Sequence, residues 1–351
     1  MNILPGLLLA LVLAFAGQFL SEFIGIDLMG LPKSPISAIM MAIILGIIIR
    51  NTITLPAALQ PGIRFGLVRV LRLGIVLLGI RLSLSEAGSI GLQALPVIIG
   101  AVTAALLIVT FLARRLGLSG KLGTLIAVGT SICGATAIVA TAPTIAAKDD
   151  EVAYAVACVT LFGVVAMLAY PFIGHWFFDG DAFKAGLFLG TSVHETAQVA
   201  GAGLVYQQYY NDPQALDVAT VTKLVRNLGM LLIIPLMSVL YHRNHSDGTE
   251  APKWYTMVPL FVIGFACMSL IRTVGDMGDQ PFGVLDPEHW NTMVGYTKHA
   301  AELCLAVAMA AVGLGTSIKG LKDIGFRPLG AGLVAAVLVG AVSITLISLL
   351  Y

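Results

Sequence analysis

The chain has 351 residues, 58% hydrophobic and 11% charged, with a mean hydropathy of +0.94. A soluble domain carries about 25% charged residues, so the composition excludes a soluble enzyme or binding module and indicates a polytopic membrane protein. A formal net charge of +1 gives no sign of nucleic-acid binding.

Apolar segments fall at 3–20, 35–50, 67–85, 92–113, 122–147, 152–176, 184–206, 216–241, 254–272, 291–317 and 327–350. Most approach the ~20 residues that cross a bilayer. The expected fold is all-α: about 11 transmembrane helices in a single integral membrane domain, residues 1–351. The first segment ends near Ala14-Phe15-Ala16, as a signal peptide would, but no Lys or Arg precedes it. It therefore reads as the first membrane helix.

Charge between segments alternates. Arg50, Arg64, Arg69 and Arg72 follow the second; Arg114, Arg115 and Lys121 the fourth; Arg243 and Lys253 the eighth; Lys319, Lys322 and Arg327 the tenth. The odd-numbered loops are acidic: Glu22 and Asp27; Asp149, Asp150 and Glu151; Asp212 and Asp217; Asp276, Asp279, Asp286 and Glu288. The loop after the sixth (Asp179, Asp181, Lys184) is the weak member. The positive-inside rule then places the N-terminus in the cytoplasm and the C-terminus outside.

Residues 79–92 (GIRLSLSEAGSIGL) align with 313–326 (GLGTSIKGLKDIGF), sharing Gly79/Gly313, Ser83/Ser317, Ile90/Ile324 and Gly91/Gly325. These segment ends run in opposite directions, which points to inverted repeats around 67–147 and 291–350. A rival alignment pairs 129–134 (GTSICG) with 315–320 (GTSIKG).

Two stretches interrupt apolar helices: 129–143 (GTSICGATAIVATAP) and 190–203 (GTSVHETAQVAGAG). Each opens Gly-Thr-Ser, at Gly129, Thr130, Ser131 and at Gly190, Thr191, Ser192, and Gly134 follows in the first. Unwinding there exposes backbone N–H groups at a half-helix start, which bind anions, and the hydroxyls add neutral donors suited to a tetrahedral oxyanion. The other reading is close helix packing through small residues. With one segment between them, both stretches would run parallel, whereas an inverted pair should be antiparallel. Either one segment re-enters or the two are not repeat equivalents.

His194 and Glu195 lie inside the second stretch. A charge in hydrocarbon costs roughly 2.5–3.5 kcal/mol even on the mildest scale, which makes the pair a functional candidate. Adjacent helical positions diverge by about 100°, so both face one point only where the helix is broken. A proton or ion relay is one reading and interhelical hydrogen bonding the other. Lys223, Arg226 and Asn227 share a helix face at i, i+3 and i+4, deep in an apolar span. They need a partner, either Glu195 or an anionic substrate. Lys298 and Glu302, beside His299, read as a salt bridge nearer the surface.

The run from His194 to Gln198 approaches a zinc-protease H-E-x-x-H motif, but Gln198 replaces the second histidine. Cys133, Cys158, Cys267 and Cys304 have neither disulfide nor zinc spacing and read as small buried hydrophobes. No motif indicates an enzyme or a cofactor.

The two Gly-Thr-Ser stretches, the run 222–227 (TKLVRN) and the segment LLGIRLSLSEAGSIG resemble the YeiH-type sulfate exporter family of bacterial inner-membrane proteins, over nearly the whole chain. That family is grouped with the cation:proton antiporter and anion transporter superfamily. The resemblance implies inverted repeats, a core domain with discontinuous helices, a scaffold domain that often forms a homodimer, and elevator-like motion. It places Gly129, Thr130, Ser131, Gly190, Thr191, Ser192, His194 and Glu195 where the broken helices meet. The expected activity is secondary active export of sulfate or a related small oxyanion, with a proton or sodium as coupling ion at His194 and Glu195. Gly134, Lys223, Arg226 and Asn227 join the substrate-binding set. A cation:proton antiporter of the same fold is the alternative, and a passive anion channel a lesser one.

Overall fold

The computed structural model describes residues 3–29, 34, 36–242, 259–277, 280–317 and 326–351. Arg243, Lys253, Asp279, Lys319, Lys322 and the repeat positions Ile318, Ile324 and Gly325 lie outside the described residues. Among the described residues all regular structure is helical.

The α-helices are α1 (Leu4–Glu22), α2 (Ala38–Thr52), α3 (Gln60–Phe65), α4 (Leu71–Leu78), α5 (Leu84–Arg115), α6 (Gly120–Ser131), α7 (Ala135–Thr141), α8 (Asp149–Phe177), α9 (Ala182–Ser192), α10 (Thr196–Tyr210), α11 (Gln214–Leu228), α12 (Met230–His242), α13 (Leu260–Gly275), α14 (Pro287–Gly315) and α15 (Phe326–Leu350). Every expected apolar segment contains helix. Six helical stretches are long and apolar enough to cross a membrane, and α2 and α13 are shorter apolar helices. Large apolar side chains such as Leu92, Leu107, Phe111, Trp176 and Leu232 are exposed along these helices. That is the surface expected where lipid is the solvent, since intrahelical bonds already satisfy the backbone.

The chain divides into two compact units. The first comprises Met1–Leu92, Gly203–Asp217 and Leu260–Ile318. Its core joins Ala10, Leu13 and Ala14 of α1, Ala42 of α2, Ile63 of α3 and Val307, Ala310, Ala311 and Leu314 of α14. Here α2 and α14 touch backbone to backbone: a methyl on Gly46 would stand 2.8 Å from the Ala310 carbonyl oxygen. Small residues at such contacts are how membrane helices gain packing energy when lipid is as apolar as the side chains.

The expected Lys298–Glu302 pair gives way to a different partnership in this unit. Glu302 Oε1 accepts from Arg81 NH1 at 3.1 Å and from Gln207 Nε2 at 2.8 Å, while Arg81 Nε lies 2.6 Å from Asp217. An arginine fork bridges two carboxylates where lysine offers a single point charge.

The second unit comprises Gln93–Ala202, Val218–Pro259 and Lys319–Tyr351. Val109 of α5, Leu122, Leu125 and Ile126 of α6, Ile138 of α7, Ala155 and Val159 of α8, and Ala331 and Ala335 of α15 form its main cluster. Next to it, α9 runs back along α8, with Phe188 against Gly174 and its ring 4.9 Å from that of Tyr170.

The segment 120–147 reverses within this unit. Its second half, α7, has only 7 residues and is followed by a 3-10 turn at Pro143–Ile145 and by Ala146 in the left-handed region (φ 48°). Lys121 Nζ, at the start of the segment, donates to the Ala146 carbonyl at its end at 2.6 Å, and Ser119 Oγ donates to Glu151. Both ends therefore lie together. The expectation that Arg114, Arg115 and Lys121 stand on the opposite face from Asp149, Asp150 and Glu151 is corrected, because the chain turns back before it has crossed.

Candidate functional site: two helix breaks held by one helix

The two Gly-Thr-Ser stretches end their helices in matching ways. Thr130 Oγ1 donates to the Ile126 carbonyl at 2.8 Å, and Thr191 Oγ1 to that of Leu187 at 2.7 Å. Ser131 donates to the Ala127 carbonyl and Ser192 to that of Phe188. Such back-bonding to the preceding turn competes with the helix ladder and bends it. All four hydroxyls are buried, and their protons are used within their own helices.

Beyond Ser131 the backbone leaves the helix at Ile132 (φ −119°, ψ −90°), and α7 starts after Gly134 (φ +71°, ψ −131°). Glycine alone enters that conformation without strain. A methyl there would also strike the Glu195 side chain. Beyond Ser192, Val193 is extended (φ −77°, ψ 138°), and α10 starts at Thr196. His194 and Glu195 thus sit outside regular helix, which removes the 100° divergence that an intact helix imposes.

Each break orphans the carbonyls that end a helix, and these carry partial negative charge. Lys223 and Arg226 of α11 supply the missing donors. Lys223 Nζ donates to the carbonyls of Ile132 (2.8 Å), Val193 (3.1 Å) and His194. Arg226 Nε donates to Ser131 O at 2.7 Å, and NH2 donates to Thr130 O. Its NH1 reaches the carbonyls of Thr191 (2.6 Å), Val193 (3.1 Å) and Gly190 (3.3 Å). Both side chains are at most 1% exposed. A buried cation is tolerated only when paired or fully hydrogen-bonded, and here carbonyls from both breaks do the bonding. One helix face, read in sequence as needing a partner, finds it in the backbone of α6 and α9.

Glu195 ties the breaks together from another side. Its carboxylate accepts from Thr160 Oγ1 of α8 at 2.8 Å and stands against Gly134 of the first break. Gln198 Oε1 accepts from the Glu195 backbone N–H at 3.2 Å, and its Nε2 donates to the Thr160 carbonyl at 3.0 Å. Gly163 gives that amide room, since any side chain there would overlap it.

Several polar atoms remain without a hydrogen-bond partner among the described residues. Around the breaks these include both ring nitrogens of His194, Thr222 Oγ1 and Asn227 Oδ1, on residues 0–2% exposed; Thr141 Oγ1 and Ser343 Oγ are others in the same unit. The backbone of Thr130 interacts with the His194 ring electrostatically, but outside hydrogen-bond geometry. Asn227 Nδ2 donates to Thr196 Oγ1 at 3.1 Å. Thr222 stands against Gly190, whose methyl counterpart would lie 2.5 Å from its Cβ. Cys133, inside the first break, is buried with its Sγ 3.3 Å from Met230 Sδ.

All the candidate residues named from the sequence fall in the second unit, and α6, α9 and α11 bring them together. Gly129 contributes packing, with Ile138 of α7 folded over it. Thr160, Gly163, Gln198, Thr196 and Thr222 were missed. Gln198 stands in the motif, where the sequence marks it only as an absent zinc ligand. Thr160 and Gly163 lie in an ordinary apolar run with nothing local to mark them.

Fold and site together define a polytopic membrane protein whose core contains two interrupted helices pinned by a lysine–arginine pair. The model of the family described as Conserved hypothetical protein 698 matches residues 5–332, and the chain belongs to that family. A UPF0324 membrane protein of Fusobacterium nucleatum is 33% identical over 98% of this chain and 97% of its own. UPF0324 membrane proteins of Bartonella henselae (34% identical, 98% of this chain, 92% of its own) and Nitratidesulfovibrio vulgaris (32%, 97% and 92%) are similar over the same extent. No solved structure matches the chain.

Proposed function

We propose that the protein is a secondary active transporter that exports a small oxyanion (sulfate, sulfite or a small sulfonate) across the bacterial inner membrane. The observation that carries this reading is the convergence of two interrupted helices on Lys223 and Arg226. Transporters place substrate and coupling-ion sites at discontinuous helices, where irregular backbone at membrane depth is tolerated because it is buried or lines a cavity. Two fixed cations beside a single carboxylate favour an anion as cargo. His194 and Glu195, freed from helix geometry by the second break, are the groups that handle a proton or sodium. The resemblance to YeiH-type sulfate exporters supports the same substrate class, an elevator-like motion and a homodimer.

Proteoliposomes containing the purified protein should take up labelled sulfate, sulfite or taurine at a rate that responds to an imposed pH or sodium gradient. Sodium–proton exchange without anion flux would instead favour a cation:proton antiporter, with Glu195 as ion ligand and Arg226 as its counter-ion. Unsaturable flux without gradient coupling would favour a channel.

A further inference from the structure

We infer that the site at the paired breaks selects a singly charged anion; this rests on the anion-transporter reading above. The first observation is the charge inventory of the second unit. At the breaks stand Lys223, Arg226 and Glu195. Its other described carboxylates lie at helix ends, namely Asp149, Asp150 and Glu151 in the first turn of α8, Asp179 in the turn after it and Asp181 at the N-cap of α9. Its remaining described cations are also terminal: Arg114 and Arg115 in the last turn of α5, Lys121 at the start of α6, Lys148 at the N-cap of α8, Lys184 beside Asp181 and Arg327 at the start of α15. His194 has no carboxylate partner and lies beside two cations, so it is counted as neutral. Two cations against one carboxylate leave a single positive charge in a buried setting. One negative charge on the ligand balances it, whereas two would leave an uncompensated anion, which is costly away from water.

The second observation points to a ligand independently of charge. Lys223 has three ammonium protons and three carbonyl acceptors, and Arg226 turns Nε, NH1 and one side of NH2 onto carbonyls. The cations therefore act through their field, and other groups must bond the ligand. His194 and Thr222 are fully buried, polar and unpartnered. Thr222 is unlike Thr130 and Thr191, whose hydroxyls fold back on their own helices. Asn227 Oδ1 is a third buried polar atom without a partner beside them.

The test uses the full chain purified in detergent, titrated calorimetrically with sodium methanesulfonate and with sodium sulfate at matched ionic strength and neutral pH. Methanesulfonate is expected to bind at least tenfold more tightly than sulfate. Glu195→Gln, which keeps the shape and raises the site to two positive charges, is expected to reverse that order. Sulfate binding as tightly as methanesulfonate to the unaltered protein overturns the inference and leaves the transporter reading standing. Binding of neither anion removes both. If Glu195→Gln fails to fold, the comparison on the unaltered protein decides alone.

Discussion

At the scale of single residues, Arg226 is the side chain with most at stake. Its fork spans carbonyls on both sides of the paired breaks, from Thr130 and Ser131 to Thr191 and Val193. Lysine keeps the charge but not the fork. Arg226→Lys leaves at least two buried carbonyls unbonded, at about 1–3 kcal/mol each. We expect it to lose about 2–4 kcal/mol in denaturant unfolding of the detergent-solubilised protein. A loss below about 0.5 kcal/mol, the range of an unremarkable surface change, would show that the fork is not what joins the breaks. Gly134 makes a second case. At φ +71°, ψ −131°, and against Glu195, Gly134→Ala is expected to cost about 1–3 kcal/mol. Gly88→Ala is the control: that glycine lies within α5 with open space around it, and alanine there should stabilise by about 0.5–1 kcal/mol. If both substitutions behave alike, backbone conformation at the break is not limiting.

At the scale of elements, the helices were legible because hydropathy reports the solvent each residue meets, and lipid leaves long apolar runs with little ambiguity. The two breaks were legible too, since Gly-Thr-Ser is poor helix material in an apolar run. What the halves of a broken helix do next was not. A crossing helix and a reversing one share the same composition, and the difference lies in Ala146 turning left-handed and in Lys121 meeting its carbonyl. The clamp was half legible. The spacing of Lys223 and Arg226 put them on one face, but their acceptors are backbone carbonyls, which leave no trace in side-chain identity. The reversal of segment 120–147 has a direct readout. In a cysteine-free background, Leu118→Cys and Lys148→Cys should both react with a membrane-impermeant thiol reagent from the same side of sealed vesicles. Labelling from opposite sides would mean that the segment crosses after all.

At the scale of the whole molecule, that reversal changes how the loop charges count. If 120–147 begins and ends on one side and α8 crosses, the loop holding Asp179 and Asp181 would lie on the outer rather than the cytoplasmic face. That loop is the weak member of the alternation as a cytoplasmic loop; as an outer one, with two carboxylates to one lysine, it would obey the positive-inside rule. Asp212, in the loop before α11, and Asp217, in the first turn of that helix, would belong outside by the same rule. Both hold only if the second broken segment, 182–210, also starts and ends on one side. Two reversing segments entering from opposite faces would be an inverted pair, which removes the difficulty of two parallel broken helices separated by one span. It would also keep the N-terminus in the cytoplasm and the C-terminus outside. The exception then becomes the acidic cluster 149–151, whose Glu151 is engaged by Ser119 and the backbone of Lys148 beside Lys121. Single cysteines at Asp179 and Asp212 should therefore label from the outer side, and one at Lys148 only from the cytoplasmic side. Labelling of 179 and 212 from opposite sides would leave 182–210 as a crossing helix and reverse the orientation of everything that follows it.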